Sequence, residues 1–173
     1  HQARAQQMLL LGDWPVRDFL DPGMPLMYLL SAAAQWVAGD HVAVLSFLPR
    51  QAPVDAALEA LRAALAQRLG SATLLEIGPR YLHSTGQLYK GGPDNGVFLL
   101  LTAEESEDLA IPGEPFTFGT LKAAQALGDF EAMQQKGRRI LRVHLTGDLE
   151  SSAQQLIEMV EDATVSQKSK VKR

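Results

Sequence analysis

Val97-Phe98-Leu99-Leu100-Leu101-Thr102 decides the fold, because apolar residues follow one another here instead of alternating with polar ones. A strand with one face in water alternates, whereas a strand that is apolar at successive positions has to be covered on both faces. Outward from it the same texture recurs in residues 41–48 (HVAVLSFL), 72–77 (ATLLEI) and 140–145 (ILRVHL). Amphipathic stretches separate these runs. Residues 53–69 are rich in Ala and Leu, with Pro53 at the start and Gly70 just past the end, and residues 117–126 and 151–162 complete the helical set. Short strands alternating with helices predict an α/β fold: a three-layer, mostly parallel sheet with helices on both faces.

The two ends differ from this body. Residues 1–38 predict an N-terminal helical extension, with apolar segments at 2–11 and 25–37 broken at Asp13-Trp14-Pro15 and Asp21-Pro22-Gly23. Residues 39–165 form the main domain, and residues 166–173, bearing Lys168, Lys170, Lys172 and Arg173 without an acid, predict a disordered basic tail. The net charge of -4 therefore leaves a body more acidic than the total, which is unsuited to binding nucleic acid. No apolar run approaches the ~18 residues of a spanning helix, so no membrane partner is expected. A length of 173 residues suits one compact domain and is too short for an eight-fold barrel, which needs roughly 200 or more. The absence of cysteine excludes a disulfide framework, a thiolate zinc site and a cysteine nucleophile, and accords with a reducing, cytoplasmic setting. No internal repeat is present, and a first residue other than methionine suggests a fragment or a processed product.

Chemistry concentrates between the second and third strands. The stretch Gly78–Gly96 reads GPRYLHSTGQLYKGGPDNG, a long glycine-rich connection that starts at the carboxyl end of a strand, where open α/β sheets bind ligands. It holds His83 beside the hydroxyls of Ser84 and Thr85 and near the cations Arg80 and Lys90. Imidazole exchanges protons at neutral pH, and hydroxyls, cations and free N–H groups hold sugar or phosphate oxygens. The bland alternative is a loop histidine that caps a helix. The other histidines have ordinary roles: His1 is terminal, His41 opens a strand, and His144 lies within one. Glu76, Asp148 and Glu150 are candidate bases that equally suit surface or helix-start positions. Neither a Walker A pattern nor a Gly-x-Gly-x-x-Gly fingerprint follows any strand, so no nucleotide cofactor is expected, and no ligand spacing indicates a metal.

The blocks GPRYLHSTGQLYKGG (78–92), PFTFGTLKAAQALG (115–128) and GRRILRVHL (137–145) occur in an order and spacing that resembles the C-terminal half of glucose-6-phosphate isomerases. The closest resemblance is to the isomerase part of bifunctional transaldolase/phosphoglucose isomerase chains. The resemblance covers residues 39–146 and implies the second sugar-isomerase (SIS) subdomain, flavodoxin-like in layout, acting in aldose-ketose isomerisation of glucose 6-phosphate and fructose 6-phosphate. Family members carry a histidine that assists ring opening, with Gln-Leu four residues on, and His83 and Gln87-Leu88 match. The resemblance thus implies His83 as ring-opening acid/base, with Arg80, Ser84, Thr85 and Gln87 around the sugar.

Two departures stand out. The family's glutamate base falls where this chain reads Gln51-Ala52-Pro53-Val54, with Asp55 the nearest acid. The family's late lysine falls at Gly147-Asp148-Leu149-Glu150, so Lys90 is the expected substitute. The phosphate grip and the carbon base are then expected from the remaining isomerase domain or a second subunit. Transaldolase chemistry needs a barrel lysine and cannot reside in this chain. The rival expectation is a non-catalytic sugar-phosphate-binding or interaction module that kept the fold after losing the base.

Overall fold

The computed structural model describes the backbone of residues 40–170 and the side chains of residues 40–162. Nine elements follow in order: β1 (His41–Phe47), α1 (Ala52–Leu69), β2 (Ala72–Ile77), a 3-10 turn (Arg80–His83), α2 (Thr85–Gly91), β3 (Gly96–Ala103), α3 (Phe118–Gln135), β4 (Arg139–Leu145) and α4 (Leu149–Lys170). The strands form one sheet in the order β2-β1-β3-β4. All three pairings are parallel, with Val44 opposite Leu75 and Leu99, and Leu99 opposite Leu141. The sheet is thus wholly parallel, with helices on both faces.

Side-chain alternation along β1 and β3 explains why both strands are apolar throughout. Val42, Val44, Val97, Leu99 and Leu101 face α1 and α4, against Val54, Leu58, Leu61 and Leu65 and against Leu156, Ile157 and Val160. Ala43, Leu45, Phe47, Phe98 and Leu100 face the opposite layer, against Tyr81, Tyr89, Ala126 and Met133. Each strand buries two rows, and the hydrophobic effect acts on both. In α1, residues 54, 58, 61 and 65 recur at helical spacing, and Gly70 ends the helix at φ 63, a left-handed value that glycine adopts at little cost.

The four expected strands and three expected helices are present, with two differences. α3 runs to Gln135, nine residues beyond the expected Ala126, because Met133 continues its buried stripe across Gly128. α4 starts at Leu149 and keeps a helical backbone to Lys170, beyond the expected 151–162; residues 171–173 lie outside the described residues. The expected N-terminal extension, residues 1–38, also lies outside them.

Candidate functional site

In a parallel sheet of this order the chain leaves β1 toward β2 on one side and leaves β3 toward β4 on the other. The connections diverge and open a crevice at the carboxyl ends of β1 and β3. A cleft of ≈ 440 Å³ lies there, lined by Gln51 and Pro53 after β1, by Glu104 and Ser106 after β3, and by Thr146, Asp148 and Glu150 after β4. Its charged lining is carboxylate only, which opposes a phosphate dianion. None of Arg80, His83, Ser84, Thr85, Gln87 and Lys90 lines it. The connection after β2 starts at the carboxyl end of that strand, as expected, but stands apart from this cleft. β2 is an edge strand, and the crevice belongs to β1 and β3.

That connection is also not a loop. After Gly78 it forms the 3-10 turn and then α2, and an interior polar network ties both to the sheet and to α3. Tyr81 Oη donates to Asp129 Oδ2 at 2.6 Å, and Lys90 Nζ donates to Asp129 Oδ1 at 2.6 Å. Tyr89 Oη donates to Glu76 Oε1 at 2.8 Å, while Arg138 Nη2 donates to the carbonyls of Lys90 at 3.0 Å and Gly92 at 2.6 Å. Burial, followed by the Asp129 carboxylate, pushes the Tyr81 hydroxyl far above the ordinary tyrosine value. Burial, followed by Glu76, does the same to Tyr89. Both phenols therefore stay protonated and act as donors. Phe47 meets Tyr81 edge-on at 5.9 Å and Phe98 lies 5.0 Å from Tyr89, so the polar ties sit on an aromatic bed. Gly86 lets α2 settle on the turn, since a Cβ there would lie 2.9 Å from the Tyr81 carbonyl oxygen.

The network divides the expected site residues into two groups. Arg80, His83, Ser84 and Gln87 are exposed. Ser84 Oγ donates to the Tyr81 carbonyl at 3.2 Å and Gln87 Nε2 to the Leu82 carbonyl at 2.7 Å, which steadies the backbone on either side of His83. Leu88, beside them, is 61% exposed, an uncommon degree for a leucine in an ordered helix. Thr85 turns inward, with its hydroxyl out of contact with solvent. Lys90 is occupied by Asp129, and its side chain is only 21% exposed. The structure therefore puts Lys90 in the support beneath the exposed face.

The acids fare similarly. Asp55 accepts a two-pronged contact from Arg50, whose Nε and Nη2 lie 2.9–3.1 Å from its oxygens. Asp148 caps α4 by accepting from the Ser151 N–H at 2.8 Å; the Ser151 hydroxyl first, and that N–H second, hold its carboxyl below the usual range. Glu76 is taken by Tyr89. In the acidic run after β3, Asp108 accepts from the Thr117 hydroxyl and the Gly119 N–H, and Glu105 pairs with Lys122, which pins the run to the start of α3. Glu104 and Glu150 remain on the cleft. Sequence reasoning missed Glu104 and Ser106 as cleft residues and Asp129 as the hub of the network. Only Asp129 had a signal: it stands on the apolar stripe between Ala126 and Met133, where a charge needs a partner. His41 lies against Tyr89 and Phe98 at the amino end of β1, and His144 Nδ1 is 3.1 Å from Thr102 Oγ1 on the β3–β4 pair.

Among the described residues no three His, Cys, Asp or Glu side chains come together as a metal site, and no helix is long and apolar enough to cross a membrane. No protein-family model matches the chain, and no curated protein matches it. Among solved structures it is similar to a hypothetical protein from Thermus thermophilus, with 17% identity and a TM-score of 0.61 over 94% of this chain. The chain spans 42% of that protein's length. At that identity the likeness establishes the three-layer α/β fold and nothing about chemistry.

Proposed function

We propose that this chain is the second sugar-isomerase subdomain of an aldose-ketose isomerase that interconverts glucose 6-phosphate and fructose 6-phosphate. His83 is its ring-opening acid/base, and Arg80, Ser84 and Gln87 are its contacts to the sugar. The observation that carries the reading is the exposure of His83 together with Arg80, Ser84 and Gln87 on one short segment that is tied to α3 from the interior. Free imidazole with no side-chain partner among the described residues can move the ring-oxygen proton. These residues lie outside the cleft at the ends of β1 and β3, so in this reading another domain or subunit covers the sugar, with the exposed Leu88 as an apolar contact for it. The covering body also supplies the phosphate grip and the carbon base, in keeping with the amide at Gln51 and the pairing of Lys90 with Asp129. A reducing, cytoplasmic setting belongs to this reading.

The same two observations favour one rival, a sugar-phosphate-binding or interaction module without turnover. Steady-state assay of fructose 6-phosphate conversion separates them. With the covering domain or subunit present, the isomerase reading expects turnover that His83→Ala lowers at least tenfold with KM nearly unchanged, whereas binding without turnover establishes the rival.

A further inference from the structure

Asp129 lies within α3, its side chain 1% exposed, and both of its oxygens are engaged by the segment that carries His83. Oδ2 accepts a hydrogen bond from the hydroxyl of Tyr81, in the turn before His83, and Oδ1 accepts one from the ammonium of Lys90, in the last turn of α2 after it. One carboxylate therefore closes over the whole stretch from turn to helix end. α2 is 7 residues long and has no side-chain cap, and a helix of that length does not hold itself together in water. Its position comes from tertiary ties. The Tyr89–Glu76 bond and the Arg138 contacts both act at the far end of α2, while Asp129 reaches the two sides of His83 together. An amide at this position keeps one oxygen for Lys90 but loses the charge that the ammonium pairs with, and it meets Tyr81 Oη with an N–H, so that hydroxyl would have to accept where it now donates.

We infer that Asp129 is a positioning residue, which through Tyr81 and Lys90 fixes where α2 presents the His83 imidazole, so that α3 shapes the reaction without touching the sugar. The catalytic consequence rests on the isomerase reading, while the tethering of the segment can be measured without it.

Asp129→Asn tests both, with turnover assayed in the presence of the covering domain or subunit. The expected result for fructose 6-phosphate is a kcat at least tenfold lower with KM within twofold, and no further loss when the same change is made together with His83→Ala. Amide hydrogen exchange over residues 82–87 is expected to quicken at least tenfold while α1 and α4 keep their protection. If Asp129→Asn fails to fold, Tyr81→Phe, which retains the Lys90–Asp129 pair, is read the same way with at least threefold faster exchange expected. Unchanged exchange overturns the tether, and an equal loss of kcat with and without His83 overturns the positioning role. Quickened exchange in a protein that shows no turnover at all overturns the isomerase reading and leaves the tether standing.

Discussion

On the face of the sheet covered by α1 and α4 the buried side chains are apolar, from Val42 and Leu99 to Leu58 and Val160, apart from Ser46 and, at the amino edge of the sheet, Asp40 in its pair with Arg139. The face covered by α2 and α3 mixes Phe47, Phe98 and Met133 with Tyr81, Tyr89 and the Lys90–Asp129 pair. Apolar contacts are non-directional and stabilise a layer without fixing one residue to another. Charge-assisted hydrogen bonds are directional, and a buried ion pair contributes little net stability once desolvation is counted. The first face accordingly supplies most of the stability, and the second fixes the placement of the segment that bears His83.

Three substitutions or conditions sharpen that contrast, in order of expected size. Leu58→Ala, at a position with 0% exposure, removes packing from the apolar face and is expected to lower unfolding stability by about 2–5 kcal/mol in denaturant titration, with His83 reactivity toward an acylating reagent unchanged in the folded protein. Asp129→Asn leaves two inward donors poorly matched and is expected to cost about 1–3 kcal/mol in the same titration while altering that reactivity. A larger loss at Asp129 than at Leu58 would reverse the assignment of the two faces.

The smallest effect concerns His41, at the amino end of β1 on the polar face. Its ring lies 5.8 Å from Tyr89 and 5.9 Å from Phe98, and its Nε2 is buried without a partner. Burial lowers its pKa below 6.5; Asp40 opposes the shift and Arg139 adds to it. The unfolded chain then binds the proton more readily than the folded one. The stabilisation from the neutral ring is complete above pH 6.5 and declines as pH falls from 6.5 to the depressed folded value. Melting temperature is expected to drop between pH 7.5 and 5.5 by more in the native sequence than in His41→Phe, and equal drops would show that His41 does not contribute.

Much of the fold can be read from residues 97–102, because a run apolar on both faces has few places to go, and the strands at 41–48, 72–77 and 140–145 follow from the same texture. Strand order cannot be read this way. Nothing local in ATLLEI marks β2 as an edge strand, so the crevice between β1 and β3, with Glu104 and Ser106, was hidden until the pairing was known. The candidate site divides along similar lines. His83 stands out by its chemistry in a glycine-rich stretch, but whether a neighbouring hydroxyl or cation faces outward depends on long-range partners. Lys90 looked available until Asp129, 39 positions later in the chain, was found against it. Gly78–Gly96 resembled a loop because glycine breaks helical patterns, yet Gly86 is the residue that allows α2 to lie on Tyr81.

Ring opening alone interconverts the anomers of glucose 6-phosphate, so it can be followed apart from proton transfer between carbons. Exchange spectroscopy of the two anomers at equilibrium is therefore the most direct measurement of the role given to His83. With its covering domain or subunit, the protein is expected to accelerate interconversion above the buffer rate, and His83→Ala to return it to that rate. Equal acceleration by both proteins would contradict it.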